Sequence, residues 1–239
     1  MSEELIPQLP PEALELLDDP RTADLKYQGP NLPRARRLLK PADPPAVGES
    51  RYLIFSPLMP DSSDARVEWL NEVQHAYALA ARGLTMLGAE RPRFREARNK
   101  PKVLPDAWFY MGVMIASPGV AAIMTRFDPA IQTVPIDWVF ADGGKLAGYV
   151  FLDVHRAVPA YDYRRTEVIV EHDATHKFIS RLGMMRALKR DLDPNLHAFR
   201  EAFKLSEIFV SRELAAALLA AGLKMDFLDP ATMSSVTTG

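Results

Sequence analysis

The sequence predicts an α+β, or mixed α/β, domain: an antiparallel-rich sheet with packed helices, preceded by a proline-rich N-terminal arm. Short runs of β-branched and aromatic residues recur between turn residues, as in a sheet of short strands. Two segments place apolar residues at helical spacing behind a serine cap. Eleven of the 20 prolines lie in the first 60 residues, where they disfavour regular structure.

The composition is that of an ordinary globular protein. The 239 residues are 48% hydrophobic and 25% charged, which is enough to bury a substantial core. Cysteine is absent from the sequence, and this excludes both a disulfide framework and a thiolate metal site. A net charge of -2 gives no general attraction to nucleic acid or to an anionic membrane.

The cell compartment is predicted from the N-terminus and from the longest apolar run. The first residues are acidic and interrupted by prolines, unlike a secretory signal. Residues 107–124 are apolar, but turn residues interrupt them and they are too few to cross a bilayer. We therefore expect a cytoplasmic protein without a transmembrane segment.

Residues 1–50 are predicted to be an extended, partly ordered arm, and residues 51–239 a single α+β domain. The pairs Pro10-Pro11 and Pro44-Pro45 prevent long regular elements. Scattered leucines allow the arm to pack against the domain or a neighbouring subunit, and residues 14–17 are expected to form one or two helical turns.

The first half of the domain is predicted to contain a strand, a helix, a short strand and a loop. Residues 51–56 are rich in strand formers and end at a proline. Residues 65–81 lack Pro and Gly and carry an apolar stripe at helical spacing, which predicts an amphipathic helix. Residues 84–87 are expected to form a brief strand, and residues 90–102 a polar, basic loop.

A helix and a hairpin are predicted next. Ser117-Pro118 supplies an N-cap followed by proline at the first helical position, and Asp128-Pro129 ends the helix. Residues 131–140 and 146–154 are expected to form two strands around the turn 141–145, whose adjacent glycines tolerate positive φ angles.

The C-terminal region predicts a β-α-β unit over residues 206–228. Residues 208–210 favour a strand, Ser211 can cap the following helix, and Gly222 is suited to a left-handed helix end. Residues 166–170 are a further short strand upstream of this unit.

Residues 104–228 resemble a family of bacterial immunity proteins from polymorphic toxin systems. It is the eleventh of the numbered immunity families and was formerly catalogued as a domain of unknown function. The motifs that carry the resemblance are Leu104-Pro-Asp106, Ser117-Pro-Gly-Val120, Phe151-Leu-Asp-Val154, Ile208-Phe-Val-Ser-Arg-Glu-Leu214, Ala221-Gly-Leu223 and Phe227. The resemblance implies a protein that binds and neutralises a cognate toxin, without catalysis and without a cofactor. The sequence leaves its oligomeric state open.

One alternative is a zinc-dependent hydrolase. His172 and His176 have the spacing of two zinc ligands on one helix, with Asp173 at the position of the usual general base. A third ligand would have to come from another part of the chain: Glu201, Glu207, His155 or His197. The preceding residues favour a strand, so a polar turn with solvated histidines is the competing interpretation.

Two further groups of residues are candidates for binding a partner. Arg91, Arg93 and Arg95 belong to a basic segment with Arg98, Lys100 and Lys102 around Phe94. Such a segment can contact an acidic protein surface or a nucleic-acid backbone, although a solvated loop explains it equally. Tyr161, Tyr163 and Arg164 combine residue types that are common in protein interfaces, in a segment that we expect to be exposed.

Aromatic residues elsewhere favour a structural role. Trp108, Phe109, Tyr110 and Trp138 occupy strand-like segments. Core packing is therefore the role that we predict for them.

Overall fold

A computed structural model describes residues 9–56, 67–71, 91–110 and 113–236. In these residues strands dominate and helices are few, so the predicted α+β class is correct in its coarse form, with a larger share of sheet than of helix. The helices are α1 (Pro11–Glu15), α2 (Pro118–Phe127) and α3 (Arg212–Ala220), with 3₁₀ turns at Leu16–Asp18 and Pro20–Thr22. The strands are β1 (Arg36–Leu39), β2 (Tyr52–Ser56), β3 (Val67–Trp69), β4 (Arg93–Glu96), β5 (Ala107–Tyr110), β6 (Val113–Ala116), β7 (Gln132–Pro135), β8 (Asp137–Phe140), β9 (Val150–Asp153), β10 (Ala157–Val158), β11 (Val168–His172), β12 (Lys177–Leu182), β13 (Ala198–Glu201), β14 (Lys204–Ser211) and β15 (Asp226–Leu228).

The strands form four sheets. The arm sheet has the order β1-β11-β12, the central sheet β10-β13-β14-β2-β15, the four-stranded sheet β5-β6-β9-β7 and the distal sheet β3-β4-β8. Most neighbouring strands are antiparallel, and the parallel pairs are β10 with β13 and β4 with β8.

The central sheet is buried on both faces, and β2 shows this alternation clearly. Leu53 and Phe55 join a core cluster with helices α2 and α3. Tyr52 and Ile54 point to the opposite face and join a second cluster with the arm and the arm sheet. Because successive side chains of a strand point to opposite faces, one short strand contributes to two cores.

The four-stranded sheet is covered on both faces in the same way. Met114 and Leu152 face the cluster shared with the central sheet. Ile115 and Phe151 face an aromatic cluster shared with the distal sheet, where Phe94 and Trp138 stack with ring centroids 5.0 Å apart. The core therefore joins the sheets in the order arm, central, four-stranded and distal.

The serine caps that the sequence predicts for the two longer helices are confirmed. The Val120 backbone N–H donates to Ser117 Oγ (3.4 Å), and the Leu214 N–H donates to Ser211 Oγ (3.1 Å). Gly222 follows α3 with φ of 73°, a left-handed conformation that glycine adopts without a steric cost. The predicted β-α-β unit is therefore present as β14, α3 and β15.

The arm contributes to the second core cluster. Ala13, Leu25 and Leu39 are buried there, and β1 pairs with β11 in register from Arg36 opposite Glu171 to Leu39 opposite Val168. The predicted helical turn is present as α1 with the 3₁₀ turn Leu16–Asp18.

Two predictions for the first half of the domain are wrong within the described residues. Val67–Trp69 is a strand rather than part of a helix, because Val67 and Trp69 face the aromatic cluster while Glu68 is exposed. Arg93–Glu96 is also a strand rather than a loop, with Phe94 and Glu96 buried and the two arginines exposed. The rest of the predicted helix, at 65–66 and 72–81, and the predicted strand at 84–87 lie outside the described residues.

The predicted hairpin is confirmed in part, because β7 pairs antiparallel with β9 and Val139 forms an antiparallel bridge with Lys145 beside the turn. Residues 131–140 divide into β7 and β8, which belong to different sheets, and β9 pairs with β6 and β7. Pro135 lies on β7 at a sheet edge, where a missing N–H is tolerated. The glycine turn itself is present, with Gly143 at φ of 79°.

A buried arginine connects the central sheet to the four-stranded sheet. Arg200 on β13 is 2% exposed, and its Nε donates to the carbonyl of Val154 (2.9 Å) just beyond β9. Its Nη2 lies 3.6 Å from Oδ1 of buried Asp153, the last residue of β9. Burial lowers the pKa of Arg200, and the Asp153 carboxylate opposes that shift.

Replacing Arg200 should therefore destabilise the protein strongly. Arg200→Met leaves the Asp153 charge buried without this partner, and we expect a loss of about 3–5 kcal/mol in the free energy of unfolding, measured with urea. The control is Arg37→Met, which removes an exposed arginine 2.7 Å from Asp24, whose side chain is 70% exposed. The control should lose less than about 1 kcal/mol. Equal, small losses in both variants would contradict this account of Arg200.

Candidate functional site

The two histidines of the predicted zinc motif lie on a β-hairpin. His172 ends β11 and pairs with Lys177, and His176 lies in the connecting turn. Asp173 holds that turn, because its Oδ1 accepts the backbone N–H groups of Thr175 (2.8 Å) and His176 (2.9 Å). These hydrogen bonds hold the pKa of the Asp173 carboxyl well below its usual range. The helix that the motif requires is therefore replaced by a turn, and the zinc-helix hypothesis is wrong in its geometry.

The proposed third ligands have other partners. Glu201 and Glu207 are buried, and His197 Nδ1 lies 3.0 Å from Ser211 Oγ. His155 Nδ1 lies 3.7 Å from an Asp153 carboxylate oxygen. Among the residues that the structure describes, no three His, Asp or Glu side chains form a group that could hold a metal ion.

The tyrosines that we expected at the surface are inside the protein. Tyr161 is 0% exposed and Tyr163 is 3% exposed, so their predicted exposure is wrong. The Tyr161 hydroxyl donates to Glu207, which also accepts hydrogen bonds from Arg186 and Lys204. Burial, with the Glu207 charge as a second cause, raises the pKa of Tyr161 well above its usual value. These residues form a polar cluster inside the second core.

The neighbouring arginines hold the arm. Arg164, exposed as predicted, donates to Glu15 (2.9 Å). Arg165 forms ion pairs with Asp43 (3.0 Å) and Glu49 (2.5 Å). The basic cluster at 164–165 therefore meets acidic residues of the same chain.

Arg91, Arg93 and Arg95 lie at or on β4 of the distal sheet, exposed to solvent. Acidic residues from neighbouring strands accompany two of them: Arg91 lies 3.5 Å from Asp137, and Arg95 lies 3.8 Å from Glu68. In the sequence these arginines form a basic run, but in the folded sheet the acidic side chains of Asp137 and Glu68 lie beside them.

The outer face of the arm sheet is a second basic surface, which the sequence analysis missed. It consists of the side chains that point away from the core: Arg34, Arg36, Leu38, Ile169, Glu171, Phe178 and Arg181. The strand register pairs Leu38 with Ile169 and Ile169 with Arg181. Arg34 lies over the Phe178 ring, 5.4 Å from its centroid. Its residues come from two distant segments, the arm and the β11–β12 hairpin, and the period-two pattern of β11 was the one signal for this face.

Glu201 is a buried acid whose surroundings shift its pKa. It is 0% exposed, and its carboxylate accepts the backbone N–H groups of Ala160 (3.3 Å) and Phe203 (2.6 Å). Burial raises its pKa from 4.5 to about 7, and these hydrogen bonds oppose that shift.

Comparison with known proteins gives one family match. The model of an immunity protein family, Imm11, matches residues 50–232. The match contains the four-stranded and distal sheets, and it leaves out β1 and the arm. No curated protein sequence matches the chain significantly. In the described residues, none of the helices has both the length and the apolar character needed to span a membrane.

The raised pKa of Glu201 predicts a pH-dependent stability. The folded protein binds the Glu201 proton more tightly than the unfolded chain does. The resulting contribution to the free energy of unfolding is therefore fully present below pH 4.5 and is lost as pH rises through about 7. Between those two pH values, this group should lower the free energy of unfolding of the wild type by about 3 kcal/mol. Glu201→Gln should have a flatter profile of unfolding free energy between pH 5 and 8. Parallel profiles for the two proteins would show that Glu201 does not titrate in this way.

Proposed function

The chain belongs to the Imm11 immunity protein family, and we propose that it neutralises a cognate bacterial toxin by binding it stoichiometrically. The observation that carries this proposal is the family match over residues 50–232, which includes most of the folded domain. We propose that the complex forms in the cytoplasm, where the toxin would otherwise act. In this proposal the protein itself performs no chemistry.

The distribution of polar groups supports a role in binding. The buried acid Glu207 is held by three donors, and Arg200 is engaged with Val154 and Asp153. These groups stabilise the interior. The outer faces of the arm sheet and the distal sheet, by contrast, present exposed arginines on strands.

Neutralisation by binding sets a requirement for affinity. A catalytic toxin damages the cell even when a small fraction stays free, so the complex should have a Kd of roughly nanomolar or below. An interface of that kind buries about 1,600 Å² in total, or about 800 Å² on each protein. A sheet face is a surface of suitable rigidity, because hydrogen-bonded strands fix the positions of its side chains.

Two surfaces are candidates for the contact. The distal-sheet surface at Arg91, Arg93 and Arg95 remains a proposal from the sequence, suited to a partner of mixed charge because Glu68 and Asp137 accompany it. The outer face of the arm sheet is the other candidate. Tyr161 and Tyr163 are too deeply buried for direct contact in this conformation.

The proposed function is tested by co-expression. Candidate toxins are the products of genes adjacent to this one, each expressed from an inducible promoter in a sensitive host. We expect one of them to stop growth, and co-expression of this protein to restore it to at least about 90% of the uninduced rate, because a nanomolar complex leaves little toxin free.

The control for specificity is an unrelated toxin expressed at the same level, which should remain lethal. A purified mixture of the protein and its toxin should also elute as one complex in size-exclusion chromatography. If no adjacent gene product is both lethal and relieved by this protein, the proposal is wrong.

A further inference from the structure

We propose that the outer face of the arm sheet is the surface that binds the toxin, and that it accepts an acidic patch that also carries apolar side chains. This inference rests on the proposed function and adds to it the location and the chemistry of the contact. It is carried by the arrangement of apolar and basic side chains on that face.

Each strand of the face contributes one apolar side chain. Leu38 is 45% exposed and pairs with Ile169, which is half-buried and lies outside the core clusters. Phe178 lies on the same face, opposite Glu171. Apolar contact area beside charged side chains is common in protein interfaces.

The face also carries basic side chains. Arg36 and Arg181 are exposed, and within the described part of the chain neither has an acidic side chain within 4.0 Å. Arg34 is 57% exposed and lies 3.8 Å from Glu171, which is itself 9% exposed. The exposed charges of this face are therefore cationic, while its one carboxylate is largely covered.

Charge complementarity decides between occupants. A second copy of this chain would place the three arginines of one face against those of the other, and like charges in an interface are strongly unfavourable. An acidic partner would pair with the same arginines, and arginine is well suited to carboxylates because its planar guanidinium can bind both oxygens. An acidic toxin surface is thus the occupant that this face favours.

The distal-sheet surface is a weaker candidate for an acidic partner. Its arginines share the surface with Asp137, whose side chain is 52% exposed, and with Glu68, which is 66% exposed. Both carboxylates would repel an acidic toxin. The two surfaces therefore carry a similar number of arginines but differ in the acids beside them.

The arm provides part of the proposed surface. Arg34, Arg36 and Leu38 come from the arm, outside the family match at residues 50–232, whereas Ile169, Phe178 and Arg181 come from within it. Pairing of β1 with β11 brings the two groups together. On this inference the arm gives the contact side chains that the matched domain lacks.

The inference is tested with two matched double variants. R36Q/R181Q removes two charges from the arm-sheet face, and R93Q/R95Q removes two charges from the distal sheet. The toxin from the rescue experiment, inactivated by mutation, is titrated against each protein in 50 mM salt. We expect R36Q/R181Q to raise Kd about tenfold, mainly through slower association, and R93Q/R95Q to change it less than about threefold.

A third variant places an opposing charge at one of the apolar positions. L38E places a negative charge among the arginines at a position that is already 45% exposed, so folding should tolerate it. We expect its Kd to rise at least tenfold because an acidic partner is then repelled. Thermal unfolding of each variant verifies that the fold is retained.

The outcomes separate this inference from the proposed function. If R93Q/R95Q weakens binding and R36Q/R181Q does not, the contact lies on the distal sheet and the inference is wrong, while the proposed function stands. The inference is also wrong if none of the variants changes Kd. If the wild type neither binds the toxin nor restores growth, the proposed function itself fails.

Discussion

Burial of the central sheet on both faces is the constraint on which the rest of the structure depends. Strand β2 contributes Leu53 and Phe55 to one core and Tyr52 and Ile54 to the other. Each face must therefore be covered: helices α2 and α3 with the four-stranded sheet pack on one side, and the arm with the arm sheet on the other. The arm is thus part of the hydrophobic core as well as an N-terminal extension.

This arrangement separates stabilising charges from charges that are available to a partner. Where sheets pack on each other, polar groups are buried and must pair, as Arg200 does with Asp153 and Glu207 does with Tyr161. Arginines on the outer sheet faces remain in water and cost little to expose. A stack of sheets therefore places exposed arginines at its outer faces, where a second protein can reach them.

The sequence predicted the local elements better than the division of the strands among sheets. Ser117 and Ser211 marked helix starts because a cap depends on residues within one turn. The run 131–140 gave no sign that it divides between two sheets: β7 pairs with the nearby β9, as in the predicted hairpin, but β8 pairs with the distant β4. Tyr161 was misplaced for a similar reason: its partner Glu207 lies 46 residues away along the chain. The arm-sheet face was missed because its residues come from the arm and from a hairpin more than 120 residues further along the chain.

The proposed action of the protein is to bind its toxin in a one-to-one complex. The most direct measurement is a titration of a fixed amount of active toxin with purified protein at concentrations far above Kd. If the protein acts by stoichiometric binding, toxin activity falls linearly and reaches zero at one equivalent, because each complex removes one toxin molecule. Complete loss of activity at a small fraction of one equivalent would contradict this proposal, since the protein would then be acting as a catalyst.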